Sequence, residues 1–398
     1  MKTLLVIFGI TGDLSTRKLL PAISHIVEDN EGIDVSVLGV SRREVDVQDI
    51  VMSSTNDQVV ANLTKLHTMD LSTAADYAGL KEAIDAYKAD QTLLYLSVPP
   101  GAAANMVELL GEAGLNTPNI RLMLEKPFGS DLVSAKDFLH QITKHFTEEQ
   151  VYRIDHYMAK EVSAEVIRLR RDAEKRLHSW GKETVESVEI VATESIDIEG
   201  RADFYEQTGA LRDFIQGHLM QQLSLVLLDA AEDFEDEQIP ELRLAALNQL
   251  NVVQAKDSVR AQYKGYTEEV ENSDSQTETF VSINLSSTDD NWRGVPLTLT
   301  SGKALDVKRS YIAVHHKDGT TNVFEEGKLE NTDGHRVLDA YEKVILEGIA
   351  GRKTIFTSGA EVVRSWEILN EVQASWATGD PTLKQYAKGA SAKSVTQS

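Results

Sequence analysis

The stretch from Tyr152 to Glu161 concentrates side chains that can do acid–base and phosphate chemistry. It holds a carboxylate at Asp155, an imidazole at His156, a phenol at Tyr157 and an ammonium at Lys160. Such groups can exchange protons and donate hydrogen bonds to an anion. The stretch follows an apolar, strand-like segment and leads into a helical pattern, which is where α/β enzymes place their chemistry.

The overall charge restricts the ligands that this chain can attract. Its 398 residues carry a formal net charge of −23, which argues against nucleic-acid and anionic-membrane binding because both need a positive field. An anionic substrate would therefore need a local cationic pocket. The lack of cysteine excludes disulfides, thiolate metal sites and cysteine nucleophiles, and we predict no metal site. A short apolar start and the lack of any membrane-spanning run predict a soluble cytoplasmic protein.

The first part of the chain alternates strand patterns with helical patterns. Short connections between them predict a doubly wound parallel sheet of the Rossmann type. The predicted strands are Lys2–Phe8, Val35–Val40, Thr92–Val98, Ile120–Leu124 and Val151–Ile154. The predicted helices are Leu14–Ile26, Glu44–Ser53, Asp76–Tyr87, Ala102–Gly111 and Asp131–Phe146.

Two features of this part favour a dinucleotide. Gly9 and Gly12 form a turn between strand and helix, where backbone N–H groups could approach a pyrophosphate. The spacing is G-x-x-G, so an ordinary tight turn is an equal alternative. Arg42 follows the second strand, where an arginine suits the extra phosphate of NADP, although a solvated charge cluster would also account for it.

Two further side chains stand out by position. Lys126 follows a strand and would point into the crevice where cofactor and substrate meet, unless it is a surface lysine. His218 lies on the apolar stripe of the predicted helix Leu211–Leu228, where a satisfied core histidine is the commoner outcome. Asp213, five positions earlier, should lie about 140° round that helix.

The second part of the chain predicts a larger α+β domain with helices and a mainly antiparallel sheet. Its predicted strands are Ser187–Glu194, Phe280–Leu285, Pro296–Thr300 and Tyr311–His315. Its predicted helices are Val162–Leu177, Leu211–Leu228, Glu241–Leu250, Val337–Gly348 and Gly359–Trp376, and the last residues should be frayed. We expect a cofactor-binding domain over residues 1–154 and a substrate-binding and oligomerisation domain over residues 155–398.

Several segments resemble the glucose-6-phosphate dehydrogenase family over nearly the whole chain. One of them is Arg153–Glu161, in which the order of residues in Asp155–Glu161 is highly specific, whereas the glycine turn is not specific. The other segments are Phe8–Leu14, Glu125–Gly129, Gly209–Asp213, His218–Leu219, Gly294–Pro296, Gly302–Leu305 and Asp339–Glu342.

The resemblance implies NADP-dependent oxidation of glucose 6-phosphate at C1 to 6-phosphogluconolactone by hydride transfer, the first step of the oxidative pentose phosphate pathway. NAD would be a weaker alternative cofactor. The resemblance also implies that His218 is the general base and that Asp155 orients its imidazole, and such a pair suits proton removal near neutral pH.

The other site residues are also implied by the resemblance. Residues at NADP-binding positions are Gly9, Thr11, Gly12, Asp13, Leu14, Arg42 and Lys126. Residues at sugar-phosphate positions are Lys18, Lys126, His156, Tyr157, Lys160, Glu194, Asp213, Lys303 and Lys308.

The chain departs from the family pattern in several places. Ser15 and Thr16 stand where alanine and lysine are usual, which removes a cationic contact near the cofactor, and Gly217 replaces an asparagine before the base. The segment Lys317–Leu338 and the C-terminal part are short. A homodimer or homotetramer through the C-terminal sheet would therefore use a trimmed surface, and a second, structural NADP site is not expected.

Two other functions stay open on the sequence alone. One is an NAD(P)-dependent sugar oxidoreductase with another substrate, which would make little use of the cationic cluster His156, Tyr157 and Lys160. The other is an inactive sensor of NADP or sugar phosphate, against which the intact catalytic positions argue.

Overall fold

The first of two sheets in the computed structural model is largely parallel. Its strands are β1 Lys2–Phe8, β2 Asp34–Ser41, β3 Thr64–Thr68, β4 Gln91–Leu96, β5 Ile120–Leu124, β6 Val151–Ile154 and β13 Phe356–Thr357. Their order is β13-β6-β5-β4-β1-β2-β3, and only β13 runs antiparallel to its neighbour. This is the Rossmann order with one added edge strand, so the predicted doubly wound sheet is confirmed.

Burial explains which strands the sequence revealed. In β1 the side chains from Leu4 to Phe8 are all buried, as expected for a parallel strand that is covered on both faces. By contrast, β3 carries a polar pattern and pairs only with β2. No apolar run marks it, and it was not predicted.

The five helices predicted in this region are present with shifted ends, and the helix Gln58–Leu63 was not predicted. A π-helix at Ser15–Leu19 replaces the first turns of the predicted Leu14–Ile26 helix, and an α-helix follows at Leu20–Asp29. The predicted helix at Glu44 begins later because the side chain of Asp46 accepts the N–H groups of Gln48 and Asp49. The remaining α-helices are Val47–Thr55, Gln58–Leu63, Asp76–Asp85, Pro100–Glu112, Leu132–Thr143 and Ala340–Ala350, with a 3₁₀ turn at Glu148–Gln150.

The second sheet is mixed and mainly antiparallel, as predicted. Its strands are β7 Val185–Thr193, β8 Ser258–Tyr263, β9 Phe280–Leu285, β10 Leu297–Gly302, β11 Arg309–His316, β12 Thr321–Glu325 and β14 Lys384–Tyr386, in the order β12-β11-β7-β10-β9-β8-β14. Two of the pairings are parallel, β7 with β10 and β8 with β14.

Helices accompany this second sheet. The predicted Leu211–Leu228 helix begins as a π-helix at Leu211–Leu219 and continues as an α-helix at Met220–Val226. The predicted Val162–Leu177 helix is described only at Glu161–Arg171, and positions 173–179 lie outside the described residues. The other α-helices are Ala202–Ala210, Ile239–Asn248, Tyr266–Glu269, Gly359–Ala377 and Ala392–Gln397, with 3₁₀ turns at Asp236–Gln238 and Ala255–Asp257.

The end of the chain is ordered rather than frayed, which corrects the prediction. β14 pairs with β8, and the helix Ala392–Gln397 follows it. Val395 is only 2% exposed and joins a core cluster with Tyr263, Tyr266 and Tyr386. The residues around Val395 are small, so the local sequence gave no sign that Val395 packs against strands more than a hundred positions away.

The structure describes residues 1–30, 32–172, 180–229, 234–328 and 336–397, and they divide into two compact units. The first unit comprises Met1–Gly129, Val133–Ala159 and Arg336–Gly359, and the second comprises Ser130–Leu132, Lys160–His335 and Ala360–Ser398. This division differs from the predicted one, because the helix Ala340–Ala350 and β13 pack within the first unit. Among the described residues, no helix is long and apolar enough to cross a membrane.

Candidate active site

The glycine turn after β1 requires glycine at its first position. Gly9 has a φ of +83°, and a Cβ there would lie 2.3 Å from the carbonyl oxygen of Ser97, just after β4. Its N–H donates to the Val40 carbonyl at 3.0 Å, and the Gly12 N–H donates to the Gly9 carbonyl at 2.9 Å. The turn thus lies between β1 and β4, where the strand order reverses and Rossmann folds bind dinucleotides.

The two unusual residues after this turn hold it in place. The Ser15 hydroxyl is buried and donates to the Gly9 carbonyl at 2.9 Å, and the Thr16 hydroxyl donates to the Gly12 carbonyl at 3.0 Å. These bonds tie the turn to the π-helix Ser15–Leu19. Ser15 and Thr16 therefore supply local structure where the family pattern has alanine and lysine.

The charged residues predicted near this turn lie at the surface of the first unit. Asp13 is exposed and pairs with Arg17 at 3.4 Å, and the Lys18 Nζ lies 3.6 Å from a carboxylate oxygen of Asp339. Arg42 is exposed directly after β2. The pKa of Asp70 is lowered, mainly by hydrogen bonds from Ser72 and in small part by the Arg42 charge.

A carboxyl–phenol pair joins Glu125, which follows β5, to Tyr95 of β4, next to the predicted Lys126. The Tyr95 hydroxyl donates to Glu125 Oε1 at 2.6 Å, and Tyr95 is fully buried. Burial raises the pKa of Glu125 to about 7, the nearby Asp155 carboxylate raises it too, and the Tyr95 hydrogen bond and Lys126 oppose this rise. Glu125 therefore titrates near neutral pH inside the first unit.

Asp155 sits at the carboxyl end of β6 in a tight turn. It is 2% exposed, and its Oδ1 accepts the Tyr157 N–H at 3.0 Å. Its carbonyl accepts the Met158 N–H at 3.0 Å. The turn fixes the carboxylate where the strand ends.

The ring of His156 is held between two tyrosines. It stacks on Tyr341 with centroids 6.1 Å apart and planes 12° apart, and it meets Tyr157 edge-on at 5.1 Å. Tyr341 lies in the first turn of the helix Ala340–Ala350, which Asp339 caps by accepting the Tyr341 N–H. Burial raises the pKa of Tyr341, as do the charges of Glu125, Asp339 and Asp155, so the phenol stays protonated.

Two ion pairs occupy the predicted substrate lysines of the second unit. Lys160 pairs with Glu326 at 2.8 Å, and Lys303 pairs with Glu194. The Lys303 side chain is 3% exposed, and its ammonium lies 5.3 Å from the ring centroid of Tyr205. Both lysines thus have a carboxylate partner.

Glu194, Lys303 and Lys308 lie at one end of the second sheet. β7 and β10 run parallel and end at Thr193 and Gly302, the residues before Glu194 and Lys303. β11 runs antiparallel to β7 and begins at Arg309, paired with Thr193, so Lys308 reaches the same end. Lys308 is exposed there.

The π-helix Leu211–Leu219 carries both Asp213 and His218. In a π-helix each N–H bonds to the carbonyl five residues back, so residues five apart lie nearly above one another. Asp213 and His218 therefore share a face, which corrects the predicted separation of about 140° based on an α-helix. His218 is 6% exposed, and its ring meets the Phe214 ring edge-on at 5.8 Å.

Glu278 fixes the start of this π-helix. Its Oε1 accepts the Leu211 N–H at 2.8 Å, and its carbonyl accepts the Ala210 N–H at 3.0 Å. Gly209 makes room for it, because a Cβ there would lie 2.6 Å from that same Oε1. The sequence did not single out Glu278.

The structure thus places the predicted residues in two sets. The first unit holds the glycine turn, Lys18, Arg42, Lys126, Asp155, His156 and Tyr157, and the second holds Lys160, Glu194, Asp213, His218, Lys303 and Lys308.

Two family models match this chain. The NAD-binding domain of glucose-6-phosphate dehydrogenase matches residues 6–164, and its C-terminal domain matches residues 169–334 and 326–397. The chain belongs to the glucose-6-phosphate dehydrogenase family.

Individual members of the glucose-6-phosphate dehydrogenase family are similar along their whole length. The glucose-6-phosphate 1-dehydrogenase of Bacillus subtilis is 30% identical, with 98% of this chain and 94% of that protein covered. That of Dickeya dadantii is 29% identical, with 97% and 93% covered. The solved structure from Mycobacterium avium has a TM-score of 0.83 at 25% identity, with 100% of this chain and 98% of that one covered.

A further solved structure shares the fold at lower identity. It is a glucose-6-phosphate dehydrogenase in complex with its substrate, with a TM-score of 0.88, 24% identity, and 98% and 95% of the two chains covered. The C-terminal family model matches in two pieces that meet at residues 326–334, inside the segment Lys317–Leu338 that we expected to be short.

Several residues around the family's motifs were not predicted from the sequence. Tyr95, Glu278 and Glu326 belong to no motif that we used, and only their contacts reveal them. Two others stood in matched segments without a role: Glu125 precedes Lys126, and Tyr341 lies in Asp339–Glu342. An acid directly before a predicted site lysine is a signal that the sequence did offer.

Proposed function

We propose that the protein oxidises glucose 6-phosphate at C1 to 6-phosphogluconolactone, with NADP as hydride acceptor. The proposal rests on family membership over both domains. Each matched catalytic position also holds the expected residue. This reaction opens the oxidative pentose phosphate pathway, and we place it in the cytoplasm.

The first unit fits a nicotinamide dinucleotide. Gly9 leaves open backbone where a side chain would collide with Ser97, at the strand-order reversal that such cofactors use. Thr11, Gly12, Asp13 and Leu14 would lie along the pyrophosphate, and Arg42 would hold the 2′-phosphate of NADP. NAD lacks that phosphate, so we propose it as the weaker cofactor. When bound, the nicotinamide supplies the hydride acceptor.

We propose His218 as the general base that takes the proton from the C1 hydroxyl. Its burial keeps water from competing for that proton, and the ring contact with Phe214 limits its rotation. Asp155 would orient the imidazole and stabilise its charged form. The turn after β6 holds the Asp155 carboxylate through the Tyr157 N–H.

The remaining residues would bind the sugar phosphate. His156, Tyr157 and Lys160 would donate to the phosphate, and a dianion would have to draw Lys160 away from Glu326. Glu194 and Asp213 would accept from sugar hydroxyls. Lys18, Lys126, Lys303 and Lys308 would add the positive charge that a protein of net charge −23 must supply locally.

A spectrophotometric assay of cofactor reduction tests the proposal. We expect reduction of NADP with glucose 6-phosphate, slower reduction of NAD, and little reaction with glucose. The variant His218→Leu should lose about 10²- to 10⁴-fold in kcat while binding of glucose 6-phosphate changes little. His140→Leu, at an exposed histidine of the first unit, is the control. Near-normal turnover in His218→Leu would refute the base assignment.

The assembly state is a separate proposal. We propose a homodimer or homotetramer that forms through the second sheet. Light scattering after size-exclusion chromatography measures the mass of the assembly directly, and a mass equal to one chain of 44.0 kDa would refute it.

A further inference from the structure

A small cavity of about 200 Å³ lies within the second unit, at the start of the π-helix Leu211–Leu219. Leu211 and Arg212 from this helix line it, together with Arg260 of β8. Trp376 adds an apolar wall near the end of the helix Gly359–Ala377. None of the predicted site residues lines this cavity, so the proposed reaction leaves it without a role.

Arg260 is the unusual residue of this cavity. It is 2% exposed, its Nε donates to the Pro381 carbonyl at 2.9 Å, and its guanidinium lies 5.5 Å from the Trp376 ring centroid. Its Nη2 is buried and has no hydrogen-bond partner within the described part of the chain. A guanidinium shielded from water with an unused N–H is costly, so a negative charge in the adjoining cavity would stabilise it.

The residues that line the cavity carry more positive than negative charge. Arg212 and Arg260 line it together with one carboxyl group, that of Glu278. Burial raises the pKa of Glu278, while the Leu211 N–H and the two arginines lower it. Burial likewise lowers the pKa of Arg260, and the charges of Glu278 and, outside the lining, Asp380 oppose this. Because carboxyl groups already offset much of the positive charge, a monoanion suits the cavity better than a dianion.

The rest of the lining suits a small amphipathic molecule. Leu211, Trp376 and Ala377 offer apolar surface, and Thr277 and Gln373 offer hydrogen bonds. A volume of about 200 Å³ corresponds to roughly seven water molecules, since each takes about 30 Å³ in the liquid. The space therefore excludes nucleotides and admits a short organic acid.

We infer that this cavity binds a small monocarboxylic acid, with its carboxylate on Arg260 and its body against Trp376. A planar guanidinium matches a carboxylate in geometry, and the excess of positive charge in the lining suits a monoanion. Binding at this place would touch the first turn of the helix that carries Asp213 and His218. Binding there needs neither substrate nor cofactor, so it is independent of the proposed reaction.

Calorimetric titration of the full-length protein, without substrate or cofactor, tests this inference. The probes are lactate, succinate and inorganic phosphate at constant ionic strength. Ala377→Leu fills the cavity from its rim without removing a charge, and Ala374→Leu makes the same change at an exposed position of the same helix. Neither substitution removes the Pro381 carbonyl or the Trp376 ring, which Arg260 contacts.

We expect saturable binding of lactate, with succinate and phosphate weaker. Ala377→Leu should raise the Kd for lactate at least about tenfold, and Ala374→Leu should leave it unchanged. Three results would overturn the inference: no saturable binding of any probe, which means that water alone fills the cavity; equal lactate affinity in Ala377→Leu; or phosphate binding more tightly than lactate.

Discussion

At the scale of single residues, Glu125 shows how neighbours change a side chain's chemistry. Removal from water raises its pKa to about 7, so that this carboxyl group is partly protonated at neutral pH. Tyr95 donates to it, and the Asp155 charge lies close enough to oppose its ionisation. Because the pKa of Glu125 lies near neutral, its protonation changes with the pH of the solution. The charge next to Asp155, a proposed catalytic carboxylate, therefore changes with pH.

The variant Glu125→Gln tests this coupling through stability. The folded protein holds the Glu125 proton more tightly than the unfolded chain, so the free energy of unfolding should fall as pH rises from about 4.5 to about 7. A shift of this size is worth up to about 3 kcal/mol. Glutamine keeps the acceptor for Tyr95 and should remove this part of the pH dependence.

Urea unfolding at pH 5 and pH 8 measures the effect. Glu112→Gln, at an exposed glutamate in the same unit, should keep the pH dependence of the unchanged protein. If Glu125→Gln kept it as well, Glu125 would not be the titrating group.

At the scale of elements, the glycine turn and the π-helix each depend on a glycine, because a neighbouring atom takes the space that a side chain would need. Gly9 and Gly209 both have positive φ, and both lie where a Cβ would meet a polar atom within 2.6 Å. At Gly9 the neighbour is backbone, which cannot move away cheaply. At Gly209 it is the carboxylate that caps the π-helix.

Gly9→Ala should weaken cofactor binding at least about tenfold, because relieving the contact with Ser97 would shift the turn. Gly114→Ala is a matched control: its φ is +72°, and a Cβ at that position would have no neighbour within 4 Å. It should cost only about 1 kcal/mol of stability. Fluorescence titration with NADPH measures both, and equal affinity in the two variants would contradict the prediction.

Gly209→Ala should lower kcat as well as stability, because it displaces the Glu278 cap and with it the helix that carries His218. Gly200→Ala has a φ of +73° and open space, so it isolates the backbone cost. We expect Gly209→Ala to be about 2 kcal/mol less stable than Gly200→Ala in urea unfolding. Similar stability and similar kcat would show that the cap has no such role.

How far the sequence predicted these elements depends on local pattern. β1, β5, β6 and β9 were predicted with their observed bounds, because apolar runs between turn residues mark them. The π-helix at Leu211–Leu219 was not predicted, since its apolar spacing fits an α-helix and only the capping by a distant Glu278 distinguishes its start. Motif order predicted the site residues, whereas their partners across the sheet carried no local signal.

At the scale of the whole molecule, contacts between distant parts of the chain decide what is core. Tyr386 donates to the Lys303 carbonyl at 2.6 Å, and Val395 is buried in the same region. No local sequence pattern near the C-terminal end indicates this packing. The sequence therefore predicted frayed residues there. The end of the chain thereby supports the loop that positions a proposed substrate lysine.

Val395→Ala should therefore destabilise the protein by about 2 kcal/mol, through the cavity that it leaves. Val307→Ala, at a residue that is 45% exposed, should change stability by no more than about 0.5 kcal/mol. Urea unfolding that gave equal values for both would mean that the C-terminal helix contributes nothing to the core.

The interrupted first unit also has a consequence for synthesis. Its segment Arg336–Gly359 contributes β13 beside β6 and places Tyr341 on His156. In the sequence, most of the second unit lies between Ala159 and this segment. At about 5–20 residues per second, a ribosome needs on the order of ten seconds or more to make the intervening chain. During that time the nascent Rossmann sheet carries an open edge at β6, the kind of edge that can pair with another chain. Its completion waits until the segment Arg336–Gly359 has been made.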